Sequence, residues 1–283
     1  RDLHRVDRRQ RQMCIRDSKS PSRGISSEFT AYRQYSQGDE TRIIDWKAYG
    51  RCDRYYIKLF EAETNFVSNM LLDASQSMTY QSGKISKIEY AKYLAASLAY
   101  LVIDQGDSAG VGIFDGELQN YIAPKSHMGV LHDISSELEK VTPVPRTNVG
   151  AVLHDFAHRM NRRGFVMLFS DLFDNTEEFI EGLNHLRYGG HNVILWHIMD
   201  PYEIEFPLSG MWKFMGLEGE GEVITQPGRV RANYLEELEK FVTEIKRACN
   251  KSGVEHVLVN TKVPVEQTIS NYLLQRSAMA KAK

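Results

Sequence analysis

Along most of this chain, short unbroken apolar runs alternate with longer stretches in which apolar residues recur every three or four positions. The first pattern predicts buried strands and the second amphipathic helices. Asn69-Met70-Leu71-Leu72 is such a run and ends on Asp73, after which Ile88, Ala91, Ala95, Leu98, Ala99 and Val102 share one broad helical face. Residues 107–114 predict a buried strand, and residues 117–122, after the turn at Asp115-Gly116, a strand that hairpins back on it. Residues 128–140 predict a helix, and Val149, Val152, Leu153, Phe156 and Met160 form the stripe of another. Further strands are expected over 164–171, 192–199 and 256–260, with helices over 177–188, 234–251 and 265–275. Residues 206–222 are irregular and Gly-rich, which predicts a surface excursion carrying Trp212. Continuous apolar strands are covered by helices on both faces. The alternation therefore predicts an α/β fold with a mostly parallel central sheet, one antiparallel edge strand and helices on both faces.

The character differs upstream. Between residues 19 and 66, Tyr32, Tyr35, Trp46, Tyr49, Tyr55, Tyr56 and Phe60 make the chain aromatic-rich, with a turn signal at Ser36-Gln37-Gly38-Asp39 and a strand pattern over residues 55–60. A small N-terminal β subdomain is expected there, ahead of a main domain over 67–276 and a tail over 277–283.

Charge changes the picture at one end only. The net charge is −2, yet residues 1–24 hold eight Lys/Arg against three Asp, so the remainder carries −7. Residues 1–18 have no clear period, and Gln12-Met13-Cys14-Ile15-Arg16-Asp17-Ser18 resembles a translated sequencing adapter; a disordered or non-native basic end is expected. That end alone would suggest nucleic acid, so no nucleic-acid partner is expected. No apolar run approaches the roughly 18 residues of a membrane span, which points to a soluble, cytoplasmic protein. Cys14, Cys52 and Cys249 show no CxxC spacing, so reduced thiols are expected.

The candidate chemistry starts where the first main-domain strand ends. Asp73-x-Ser75-x-Ser77 puts a carboxylate and two hydroxyls on one loop, and oxygen donors of this kind suit Mg2+ or Mn2+. Asp171 ends another buried strand, so it emerges beside Asp73 at the carboxyl edge of the sheet, where open α/β sheets bind ligands. His154-Asp155-Phe156-Ala157-His158 has the HxxxH spacing of zinc proteases, but Asp stands in place of the Glu base. Both histidines fall opposite the apolar stripe and are expected to be exposed surface residues.

Asp73-x-Ser75-x-Ser77 resembles the opening of a metal-ion-dependent adhesion site in von Willebrand factor A domains. A longer set of residues is similar to the bacterial family known as domain of unknown function 58. These are Tyr35-x-x-Gly38-Asp39-x-x-Arg42-x-Ile44-Asp45-Trp46-Lys47-x-Tyr49, Tyr56-Ile57-Lys58-x-Phe60-Glu61 and Leu72-Asp73-x-Ser75-x-Ser77-Met78. The resemblance spans about residues 19 to 275 and implies a Rossmann-like von Willebrand A-type domain. It implies that Ser75, Ser77 and Thr147 bind the cation through hydroxyls while Asp73 and Asp171 hold its waters, and that one position stays open for a partner's carboxylate. Family members are encoded beside MoxR-type AAA+ ATPases, which makes such an ATPase, or a substrate it remodels, the expected partner. Tyr35, Asp39, Arg42, Asp45 and Trp46 are a second candidate contact surface.

A non-enzymatic interaction module is therefore expected. The rival is a Mg2+-dependent hydrolase or phosphotransferase on the same acidic edge. Against it stand the lack of a GxxxxGK[ST] loop, of a lysine near the acids in sequence, and of a nucleophile paired with a base.

Overall fold

The computed structural model describes residues 28–36, 44–61, 66–144, 148–160, 163–173, 176–215 and 221–281. The expected basic end, residues 1–18, lies outside them, as do Asp39, Arg42 and Thr147. The described chain falls into two compact units that divide between Asn65 and Phe66.

In the first unit, β1 (Glu28–Gln34) pairs antiparallel with β2 (Tyr56–Glu61), and between them lies a short helix, α1 (Trp46–Cys52). The sequence pattern predicts a β subdomain with a strand over 55–60 and assigns no helix here; the helix arises from its cap. Asp45 Oδ1 accepts from the backbone N–H of Lys47 at 2.9 Å and of Ala48 at 3.3 Å, satisfying donors that a helix start leaves open. Asp53 ends the helix in the left-handed region, with φ 51°. Tyr49 stacks on Tyr55 at 4.5 Å between ring centroids, with Trp46 edge-on to both.

The second unit is the predicted α/β fold. Its elements in order are β3 (Val67–Asp73), α2 (Lys87–Asp104), β4 (Ser108–Phe114), β5 (Leu118–Lys125), α3 (Gly129–Glu139) and α4 (Val149–Arg159). There follow β6 (Phe165–Ser170), α5 (Thr176–Tyr188), β7 (Asn192–Met199), α6 (Pro201–Glu205), β8 (Trp212–Met215) and β9 (Glu222–Thr225). The last three are α7 (Pro227–Ser252), β10 (Glu255–Asn260) and α8 (Val265–Lys281). Six strands form one sheet in the order β10-β7-β6-β3-β4-β5, parallel throughout except for the antiparallel edge strand β5. β3, the strand ending in Asp73, is thus central.

Alternation along β3 divides the core. Met70 and Leu72 pack with α2, α3 and α8, while Leu71 packs on the other face with α4, α5 and α7. The short helix α6 is not expected from the sequence, and two further stretches differ from expectation. The excursion over 206–222 contributes β8, which pairs with β9 in a separate hairpin. α7 begins at Pro227 rather than near residue 234, because its first turns are exposed and carry no apolar stripe, and proline suits a helix start. Among the described residues no helix is long and apolar enough to cross a membrane.

α4 and α5 approach closely over two glycines. A Cβ on Gly150 would lie 2.5 Å from the backbone carbonyl carbon and oxygen of Glu178, and one on Gly182 would lie 2.8 Å from Leu153 Cβ. Gly150→Ala is therefore expected to lower stability by about 1–3 kcal/mol, the usual cost of overpacking. Urea denaturation measures this, and an unchanged midpoint would mean that the helices can separate freely.

Candidate functional site

β3 and β6 are adjacent and parallel, so Asp73 and the Ser170-Asp171 step leave the sheet side by side at its carboxyl edge. The loop after β3 folds back on Asp73, whose Oδ1 accepts from the Ser75 backbone N–H at 2.8 Å. Its Oδ2 accepts from Ser170 Oγ at 2.5 Å, and Ser170 Oγ in turn accepts from the Leu172 N–H at 2.9 Å. This turn places Leu172 at φ 57°, an unusual conformation for leucine, and it aims the Asp171 carboxylate across at the β3 loop.

The two serines converge there. Ser75 Oγ and Ser77 Oγ lie 2.9 Å apart, and Ser77 Oγ donates to Asp171 Oδ1 at 3.2 Å. Asp73, Ser75 and Asp171 are each 1% exposed, while Ser77 keeps partial solvent access. Of the five residues expected to hold a cation, four are therefore together. Thr147 falls outside the described residues, but Val144, three positions earlier, bridges to Ser75.

These donors fit Mg2+. Adjacent oxygens around an octahedral Mg2+ at about 2.1 Å lie about 3 Å apart, which the Ser75 Oγ–Ser77 Oγ pair reproduces at 2.9 Å, while Asp171 Oδ1, 3.2 Å from Ser77 Oγ, would be in reach of a water on the ion. The acids also favour a cation electrostatically. Burial, and then the charge of Asp171, pushes the Asp73 carboxyl up to about 7 against the hydrogen bonds from Ser170 and Ser75.

No lysine lies near the acids in sequence, but the fold brings Lys87 to them, from 84 positions before Asp171. Its Nζ donates to Asp171 Oδ2 and to Glu203 Oε1, each at 2.7 Å, with a fully buried side chain. Side chains in the first turn of a helix lean toward its N-terminus, so Lys87 reaches from α2 back over the sheet edge. Burial lowers the Lys87 pKa, yet the charges of Asp171 and Glu203 outweigh it and leave it above the ordinary lysine value. Phe173 lies under the ammonium at 5.0 Å. The two oxygens of Asp171 are thus divided, Oδ1 toward the serines and Oδ2 toward Lys87.

Further residues hold the frame. Asp200 caps α6 and accepts from the Ser82 N–H at 2.9 Å and from the Ser82 hydroxyl, tying the loop after Ser77 to the end of β7. Glu203 accepts from the Asp200 N–H at 2.8 Å. His197 Nε2 lies 3.1 Å from the Asp171 carbonyl and Nδ1 lies 3.2 Å from His256 Nε2. Burial, and then repulsion by His256, pushes His197 down to about 3. It is neutral, and because a carbonyl only accepts, its proton is on Nε2 and the lone pair on Nδ1 takes the His256 N–H.

Sequence reasoning missed Lys87, Ser170, His197 and Glu203. Two signals were present. A cation at the first position of a helix opposes the helix dipole, so Lys87 called for an acidic partner, and Asp200-Pro201-x-Glu203, with the glutamate at the third helical position, has the form of a capping box. His197 and Ser170 carried no signal inside apolar strands.

In the first unit, Asp45 is buried and its carboxylate also accepts from Tyr32 OH at 2.9 Å, so it builds the helix cap. Trp46 is 62% exposed and Tyr35 half-buried.

The family model described as protein of unknown function DUF58 matches residues 31–242. The uncharacterised protein Rv1480 of Mycobacterium tuberculosis is 21% identical over 192 residues, covering 65% of this chain and 58% of that protein. The chain thus spans little more than half the length of this curated relative. Among solved structures, BatB of Bacteroides thetaiotaomicron is similar at a TM-score of 0.49 and 16% identity, covering 77% of this chain and all of that one. An aerotolerance-related membrane protein of Bacteroides fragilis scores 0.49 at 17% identity, covering 74% of this chain and 99% of its own.

Proposed function

The chain belongs to the DUF58 family of proteins of unknown function, and on that premise we propose that its sheet edge is a cation-dependent site for binding another protein. Ser75, Ser77 and Thr147 are the residues that would hold Mg2+ or Mn2+ directly, with Asp73 and Asp171 accepting from its waters. The ion would supply an electron-poor position that a partner's Asp or Glu completes. The observation that carries this reading is the 2.9 Å pair of serine hydroxyls facing Asp171 at a buried acidic edge. Lys87 and the bound cation would offset the negative charge there, so the edge would tolerate an approaching carboxylate.

The module acts without chemistry of its own. Lys87, the group best placed to meet a phosphate, is buried and has its ammonium taken by two carboxylates, so its presence does not favour phosphoryl transfer. The partner we favour is a MoxR-type AAA+ ATPase or a protein it remodels, and Tyr35 and Trp46 are candidates for a second contact.

The test is a pull-down of the cognate ATPase with the purified chain in Mg2+ and in EDTA. Association is expected only with Mg2+ and is expected to be lost in Ser75→Ala/Ser77→Ala. A complex equally strong in EDTA and with the double variant would remove the metal site from this contact.

A further inference from the structure

Away from the sheet edge, α4 and α5 bring three histidines together. His154 and His158 lie one turn apart on α4 and are exposed, as expected, but His185 of α5 joins them. Their ligand-capable nitrogens all lie within 4.8 Å of one another. His154 Nδ1 and His185 Nδ1 are 2.7 Å apart, and the His185 ring centroid lies 4.4 Å from that of His154 and 4.6 Å from that of His158. We propose that His154, His158 and His185 form a binding site for a late first-row divalent cation, of which Zn2+ is the representative, stapling α4 to α5.

The geometry is built rather than incidental. Gly150 and Gly182 let the two backbones approach, and His154 follows Gly150 by four residues while His185 follows Gly182 by three, so each sits about one turn beyond the close contact. Asn148 Nδ2 donates to Glu178 Oε2 at 2.8 Å and fixes the helices at their other end. Nitrogens around a tetrahedral ion at 2.0–2.1 Å stand about 3.3 Å apart, which small rotations of these exposed rings achieve.

Donor chemistry selects the ion. Imidazole nitrogens suit Zn2+, Ni2+ or Cu2+, whereas Mg2+ takes oxygen. The neighbouring carboxylate of Asp155 is paired with Arg159 at 2.8 Å, so the ligands are the three rings. With three protein ligands and exposed rings, the fourth position falls to solvent. The site uses none of the sheet-edge residues and stands independently of the reading given above.

The test is calorimetric titration of the full chain with ZnCl2, alongside the visible spectrum of the Co2+ form. One Zn2+ per chain is expected, with a rise in melting temperature and the intense visible bands of four-coordinate Co2+. His185→Ala and His154→Ala should each weaken binding at least about tenfold, in line with losses on removing supporting groups around metals. Ser75→Ala/Ser77→Ala should bind Zn2+ as the wild type does. Unchanged affinity in His185→Ala would reduce the site to an ordinary i, i+4 pair and overturn the assignment, as would octahedral Co2+ or an ion retained by His154→Ala.

Discussion

Lys87→Met is expected to lower the stability of the main unit by about 3–5 kcal/mol, the range for breaking a buried ion pair by removing one partner. The reason is the charge left behind. Lys87 is the group that neutralises Asp171 and Glu203, whose side chains are 2% and 14% exposed. Burial already raises the Glu203 carboxyl against the pull of Lys87, and without the ammonium it is pushed further toward the protonated form, so the folded state would bind its proton more tightly than the unfolded state. Stability would then be lost as pH rises, and the deficit should be larger near pH 8 than near pH 5. Urea denaturation at both pH values measures it, and a pH-independent loss below about 1 kcal/mol would show that water screens the cluster. The same variant should bind Mg2+ about tenfold more tightly, because a unit positive charge a few ångströms away contributes on the order of 1 kcal/mol or more against a second cation. Weakened Mg2+ binding would instead make Lys87 necessary for orienting Asp171.

The second large effect concerns Asp73, and its sign follows from burial. Its carboxyl is raised from 3.8 to about 7, first by burial and then by the charge of Asp171. A group raised in the folded state contributes stability below its unfolded value and loses it as pH climbs through the folded value. For the metal-free protein this loss amounts to on the order of 2–4 kcal/mol between pH 4 and 7, at about 1.4 kcal/mol per unit. A divalent cation needs the ionised form, so binding should release a proton. Apparent Mg2+ affinity should then rise toward about tenfold per pH unit below pH 7 and level off above it.

Asp73→Asn keeps the shape of the carboxylate without its charge. It should abolish the Mg2+-dependent gain in melting temperature and make the metal-free protein more stable than wild type near pH 8 by on the order of 1–3 kcal/mol. Parallel stability curves for the two proteins would show that Asp73 is ionised throughout, and an undiminished Mg2+ response in the variant would sink the site.

The central sheet was legible because buried parallel strands must be apolar throughout and their covering helices striped, so periodicity alone placed β3, β4, β6, β7, β10 and the long covering helices, apart from the first turns of α7. Asp73 and Asp171 were legible for the same reason, since an acid at the end of such a strand can only emerge at the carboxyl edge. Short elements were not. α1 depends on the Asp45 cap, and the β8–β9 hairpin on pairing across a Gly-rich stretch, neither of which produces a long period.

What the sequence determined by itself is what local periodicity fixes: which segments are strands, which faces are buried, and which hydroxyls and acids lie where strands end. Only the tertiary structure decided the contacts between segments distant in sequence. Lys87 meets Asp171 and Glu203 because the first turn of α2 leans over the sheet edge, and His185 meets His154 because two glycines let α4 and α5 close together. Such meetings depend on how helices dock on a shared sheet, and residues 84 or 116 positions apart carry no common period to announce them.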